Sequence, residues 1–219
     1  MKFHDFSPFY RSSEGIKAKV SGDRLLDNPL VADVQSGASF KFDGVNDEIG
    51  GTPTQYPSGS SARSVEMWVK VDSITAFDTL FSYGTLTANQ AFNINFNNST
   101  NGYLSVGKYG ADSSGGSNSG LSNSQVPVGE WVHIIVTHDG TQAINYYLNG
   151  VADGNAVLSG LNTVTSLFTF GKGISSWGNP HFDGEIRQLR IHNRALTADE
   201  VRAAYNGQAV SFEHTGASQ

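Results

Sequence analysis

Hydrophobic and polar residues alternate with a period of two along much of this chain, the mark of strands with one buried face. Val132, Ile134 and Val136 alternate with His133, Ile135 and Thr137. Asp139-Gly140 then reads as a turn, Ile144, Tyr146 and Leu148 alternate again, and Asn149-Gly150 reads as a second turn. Asp-Gly and Asn-Gly tolerate the positive φ of tight hairpins, so a strand–turn–strand–turn unit is predicted here. Upstream, Val65, Met67, Val69 and Val71 fall on one face of a strand, with Glu66, Trp68 and Lys70 on the other. Phe92, Ile94 and Phe96 alternate with Asn93, Asn95 and Asn97, which predicts a half-buried strand with a polar face. Residues 110–125, GADSSGGSNSGLSNSQ, are too polar and flexible for a strand and read as a long surface loop.

One segment breaks this rhythm. Residues 197–206 are predicted as the single helix. Thr197 is an N-cap and Glu200 completes a capping box; Leu196 and Val201 stand at the positions of a hydrophobic staple, and Gly207 follows as a stop. Ten residues make too short a helix to stand alone, so it must pack through Val201, Ala204 and Tyr205.

Composition narrows the function classes. A chain of 219 residues with 38% hydrophobic positions can bury one sizeable core. The formal net charge is −6 and no basic run exists, which argues against nucleic-acid binding. No stretch reaches the roughly 18 apolar residues of a membrane span. Cysteine is absent, which removes disulfides, thiolate nucleophiles and cysteine-ligated metals. The N-terminus, MKFHDFSPFYRSSEGIKAKVSGD, lacks the apolar run of a signal peptide, so assembly in a cytoplasm is expected, with secretion as the alternative.

Several motifs, in order, carry a family resemblance over residues 38–207. They are Phe40-Lys41-Phe42-Asp43-Gly44-Val45-Asn46-Asp47, Ser64-Val65-Glu66-Met67-Trp68-Val69-Lys70, Trp131-Val132-His133, Tyr147-Leu148-Asn149-Gly150, and Phe182-Asp183-Gly184-Glu185-Ile186 running on to Arg194-Ala195-Leu196. Together they resemble the laminin-G-like, concanavalin A-like jelly-roll family. The resemblance implies an all-β fold, a two-sheet antiparallel jelly-roll β-sandwich with one short C-terminal helix. It covers the domain from residue 38 onward and leaves residues 1–37 as an additional arm. That arm carries Phe3, Phe6, Phe9 and Tyr10, and Pro8 argues against a helix there. It is expected either to supply an outer strand or to dock on a partner chain through those aromatics.

Fold alone does not give function, because function resides in sites. Retaining glycosidases of this fold are expected to present two carboxylates on one strand in a spacing like E-x-D-x-x-E, about 5–5.5 Å apart. No such segment exists: Glu66 stands alone on its strand, and Arg187 and Gln188 follow Glu185. No G-x-S-x-G or H-E-x-x-H motif exists either. His133 and His138 are five apart on one strand and should face opposite sides. The chain is therefore read as a non-enzyme. The resemblance also implies a structural calcium, with Asp43, Asp47 and Asp183 as ligands, since calcium takes 6–8 hard oxygens. Arg187 stands where the family usually has Asp, and a cation there would repel the ion or replace it by an ion pair. Asp-Gly at 43–44 and 183–184 equally suits plain turns.

Saccharides are held by flat rings beside amide and carboxylate groups. Trp177 and Asn179 in the segment GISSWGNPHF, with His181 and with Tyr109 beside the Gly/Ser loop, are the ligand-binding candidates. Trp68 and Trp131 are expected to be packed. Two functions follow. The first is a structural or adhesion protein of a virion surface, a capsid decoration or tail-associated component with glycan binding. The second is a secreted carbohydrate-binding module of a larger enzyme or adhesin.

Overall fold

The computed structural model describes residues 10–12, 15–17, 19–20, 39–53, 55–96, 102–109, 120–174 and 181–207. Its strands are β1 (Tyr10–Ser12), β2 (Gly15–Lys17), β3 (Lys19–Val20), β4 (Phe40–Asp43), β5 (Ile49–Gly51), β6 (Arg63–Ser73), β7 (Thr79–Gly84), β8 (Ala91–Phe96), β9 (Leu104–Gly107), β10 (Trp131–His138), β11 (Ala143–Leu148), β12 (Val151–Val157), β13 (Leu167–Phe170) and β14 (Asp183–His192); one helix, α1, spans Ala198–Tyr205. Two six-stranded sheets form the jelly-roll sandwich, in the orders β12-β11-β10-β6-β14-β4 and β3-β5-β13-β7-β8-β9. The pairings within these sheets are antiparallel apart from β3 with β5, which is parallel.

The inward faces are those the alternation predicts. Val65, Met67, Val69 and Val71 of β6 meet Phe92, Ile94 and Phe96 of β8 in one core, with Phe81 and Tyr83 of β7 between them. Each such side chain contributes roughly 1.5–3 kcal/mol by leaving water. Both predicted hairpin turns are present. The Asp139 carboxylate accepts the backbone N–H groups of Thr141, Gln142 and Ala143, and Asn149 and Gly150 both take positive φ. Residues 110–119 lie outside the described part. The rest of the expected surface loop is anchored: Asn123 N–H donates to Asp153 O, Ser122 N–H to Leu104 O, and Gln125 bridges Tyr103. This segment ties β9 of one sheet to β12 of the other.

The inward face of β6 also carries an unexpected residue. Arg63 is fully buried, beside Val65 in the alternation. Its Nε donates to Ser61 O at 2.8 Å, Nη2 to Gly59 O at 2.9 Å, and Nη1 to Thr163 Oγ1 at 2.7 Å and to the Tyr83 hydroxyl. The guanidinium also lies over the rings of Tyr83 and Phe92. Neutral oxygens and ring faces hold this buried cation.

α1 forms as its caps require. Thr197 and Glu200 make the reciprocal capping box, and Leu196, Val201 and Ala204 pack with Ile135 and Tyr147 on the outer face of the first sheet. Of the arm, β1 and β2 pair as a hairpin and β3 lies parallel to β5 at the edge of the second sheet. Phe3, Phe6 and Phe9 lie outside the described residues; Tyr10 opens β1.

Candidate functional site

One end of the sandwich gathers most of the residues singled out in the sequence. Asp43, at the end of β4, stands opposite Asp183, at the start of β14. The Asp43 carboxylate accepts the N–H groups of Val45 and Asn46, and Asp47 accepts the N–H of Asp43, so the turn after β4 is closed by its own acids. Slight burial raises the Asp43 carboxyl, but these backbone donors outweigh it and hold it below its ordinary value. His181 bridges Lys172 across the segment between β13 and β14. Lys172 pairs with Glu48 at 2.8 Å. Burial and the Lys172 charge push the His181 imidazole down, against the pull of Glu48, Asp43 and Asp47. His181 therefore shares one rim with Asp43, Asp47 and Asp183. Trp177 and Asn179 precede His181 in the chain and lie outside the described residues.

The same rim holds a residue that the sequence did not point to. Phe77, in the turn between β6 and β7, has φ +69° and is 38% exposed. A bulky side chain at positive φ is a rare, strained conformation. It is held there by Asp78, whose buried carboxylate accepts the N–H of Thr75 at 2.7 Å and the Thr75 hydroxyl, while its carbonyl accepts Phe96 N–H. Burial raises the Asp78 carboxyl, the Thr75 bonds oppose this, and the nearby Asp183 charge adds to it. The turn thus presents an exposed aromatic at the end of the sheet where Asp183 faces Ser73, and Val45 is exposed in the turn after β4.

The calcium set is less convergent than the resemblance implies. Among the described residues no group of three or more His, Cys, Asp or Glu is arranged to hold a metal ion. Asp183 accepts the Ser73 hydroxyl at 2.6 Å, and Asp43 and Asp47 are engaged in their turn. Three carboxylates do not close a cage here, and backbone carbonyls would have to supply most of the 6–8 oxygens. The objection raised by Arg187 also falls away. Its guanidinium lies 4.3 Å over the Trp131 ring and 5.3 Å over Trp68, on the sheet face, and makes no ion pair with the rim acids.

Tyr109 is not part of this rim. Its carbonyl accepts Asn89 N–H in the β7–β8 turn, beside Gly84. His181 follows β13 at the Leu80 end of β7. The two ends of β7 are five residues apart, roughly 17 Å at 3.4 Å per residue.

Glu66, alone on its strand in sequence, is 1% exposed under α1. Its carboxylate takes Arg190 Nη1 at 2.8 Å and lies 3.2 Å from His133 Nε2 and 3.3 Å from His192 Nε2. Burial pushes its carboxyl up, but the two imidazoles and the Arg190 charge outweigh that and hold it at about 2. A carboxylate so enclosed is a structural anchor. His138 lies on the opposite face, as expected, accepting Gly140 N–H at Nδ1.

Domain 4 of AbnA, a GH43 extracellular arabinanase from Geobacillus stearothermophilus solved with arabinotriose, is similar to this chain with a TM-score of 0.57, at 24% identity over 80% of each chain. A heptameric SAP-like pentraxin from Limulus polyphemus gives 0.56 at 18% identity, over 75% of this chain and 80% of the pentraxin. The botulinum neurotoxin serotype G binding domain gives 0.55 at 15% identity, over 81% of this chain but only 44% of the toxin domain. No curated protein matches in sequence. These likenesses concern the fold. The family described as the concanavalin A-like lectin/glucanases superfamily matches residues 43–202, most of the chain, and the chain belongs to that superfamily.

Proposed function

We propose that the chain is a non-catalytic saccharide-binding domain whose ligand site is the rim carrying Phe77, Asp183, Asp43, Lys172 and His181, completed by Trp177 and Asn179. The observation that carries this reading is Phe77, an exposed aromatic held at positive φ in the β6–β7 turn, at the end of the sandwich that also carries Asp183, Lys172 and His181. Strain kept in a surface aromatic is a reason to look for a ligand, and ring plus polar neighbours is the chemistry a sugar requires. The arabinotriose bound by the similar arabinanase domain makes arabino-oligosaccharides a sensible first probe. Such a domain acts where polysaccharides are, at a cell or particle surface. No helix among the described residues is long and apolar enough to cross a membrane.

Phe77→Asn tests the reading, because Asn accepts the left-handed region that costs other residues about 1–2 kcal/mol. Saccharide affinity should fall at least tenfold while the melting temperature holds or rises. A lower melting temperature with unchanged affinity would make Phe77 a packing residue and overturn the assignment. Running the titration with calcium and with chelator tests Asp43, Asp47 and Asp183 as ion ligands: calcium dependence of affinity or melting supports them, and its absence leaves turns.

The second reading, a virion surface component, rests on the aromatic arm. Four aromatics within residues 3–10 invite association when exposed. Deleting residues 2–10 should leave melting and saccharide affinity intact and abolish self-association, read by light scattering. Unfolding instead would place the arm in the core, and no change in either would remove this reading.

A further inference from the structure

The outer face of the first sheet carries a second constellation, separate from the rim. Arg187 of β14 stands opposite Trp68 of β6, with His133 of β10 beyond it; Glu185, Lys70 and Trp131 form the next row, and the Arg187 side chain reaches diagonally across to the Trp131 ring. α1 covers the far part of this face, where Tyr205 stacks on Trp68. Trp68, Trp131 and Arg187 remain half-buried. The neighbouring cations have carboxylates: Lys41 pairs with Asp72, Lys70 lies 3.7 Å from Glu185, and Arg190 pairs with Glu66. Arg187 differs. Among the described residues it makes no hydrogen bond or ion pair, and its Nε is buried without an acceptor there. The guanidinium carbon lies over both indoles, 4.3 Å from the Trp131 centroid and 5.3 Å from that of Trp68. Its terminal nitrogens are not among the buried atoms left without partners, so they reach solvent.

A guanidinium is built for two parallel hydrogen bonds to a carboxylate, and one fixed in place loses less entropy on making them. A ring beside it offers a face to a pyranose. We infer that Arg187 and Trp131 form a site for a carboxylate-bearing sugar, a uronic acid unit of an acidic polysaccharide, with the carboxylate on Arg187 and the sugar ring against Trp131. Lys70 and Glu185 flank the pair as donor and acceptor for hydroxyls. The site lies four residues along β14 from Asp183, roughly 13 Å from the rim, and does not depend on the rim reading.

The test titrates tetragalacturonate, neutral galactotetraose and a sulfated galactotetraose into the full chain, reading tryptophan fluorescence and the indole N–H resonances. Tetragalacturonate should bind and shift the Trp131 signal, with neutral galactotetraose at least tenfold weaker. Arg187→Met should lose at least tenfold, Arg187→Lys should recover only part, and Phe77→Asn should change nothing. Should Arg187→Met fail to fold, Trp131→Ala and the shift of the Trp131 indole in the unaltered protein decide the matter. No binding of tetragalacturonate, or equal binding by folded Arg187→Met, would overturn the site. Equal binding of the sulfated sugar would reduce it to a general anion site and overturn the carboxylate assignment.

Discussion

Replacing Glu66 by Ala should lower stability by about 3–5 kcal/mol, the usual loss when one partner of a buried ion pair is removed. The side chain is 1% exposed, and three donors converge on it from two other strands. Without the carboxylate, Arg190 loses its counter-ion and both imidazole Nε2 atoms lose their acceptor. Glu66→Gln should lose about 1–3 kcal/mol, because its amide turns a donor toward donors. Denaturant unfolding at pH 7 checks both; a loss under about 1 kcal/mol for Glu66→Ala would show that the network contributes little.

The same network sets the acid response. The Glu66 carboxyl is held at about 2, below its ordinary 4.5. Its contribution is complete above pH 4.5 and is lost as pH falls toward 2. His138 acts earlier: burial, then the Arg63 charge, lowers its pKa from 6.5. The unfolded chain takes up that proton first, so stability falls as pH drops below about 6.5. Wild-type stability should decline in these two windows, and Glu66→Ala should shrink the lower one, which Asp139 and Glu200 also feed, and leave the upper one unchanged.

Arg63→Met should be as damaging, at least about 3 kcal/mol, since each buried acceptor left empty costs about 1–3 kcal/mol. Ser61 O and Thr163 Oγ1 lose the guanidinium donor, Gly59 O keeps only the Thr163 N–H, and the link that Arg63 makes to Thr163 beside the Gly59–Thr163 backbone pair is gone. Arg63→Lys should rescue little, because one ammonium cannot span the positions that the planar fork reaches. For a chain of this length the Met variant should melt roughly 6–12 °C lower. Calorimetry showing a drop under about 3 °C would mean that solvent replaces the guanidinium.

The strands were legible because alternation is a local property. Val65, Met67, Val69 and Val71 need no partner to be recognised as one face, and Thr197 with Glu200 marks a helix start by itself. Arg63 sits two residues before Val65 on the same face; its charge hides an inward position that the period alone would give. The Glu66 network was not legible, because His133 and His192 are 67 and 126 residues away and only sheet order makes them neighbours. Phe77 was missed because no residue type announces an aromatic at positive φ; Gly or Asn there would have. Tyr109 and His181 both looked like rim residues, since alternation does not say at which end of the sandwich a strand stops.

Binding to an oligosaccharide array, run with the intact chain and with Phe77→Asn and Trp177→Ala, tests the central claim most directly. The rim reading predicts that the intact chain retains at least one class of neutral oligosaccharide and that both variants lose it while keeping their melting temperatures. Retention of no neutral oligosaccharide by the intact chain, or equal retention of neutral oligosaccharides by both variants, would contradict it, since the Arg187 site takes acidic ones.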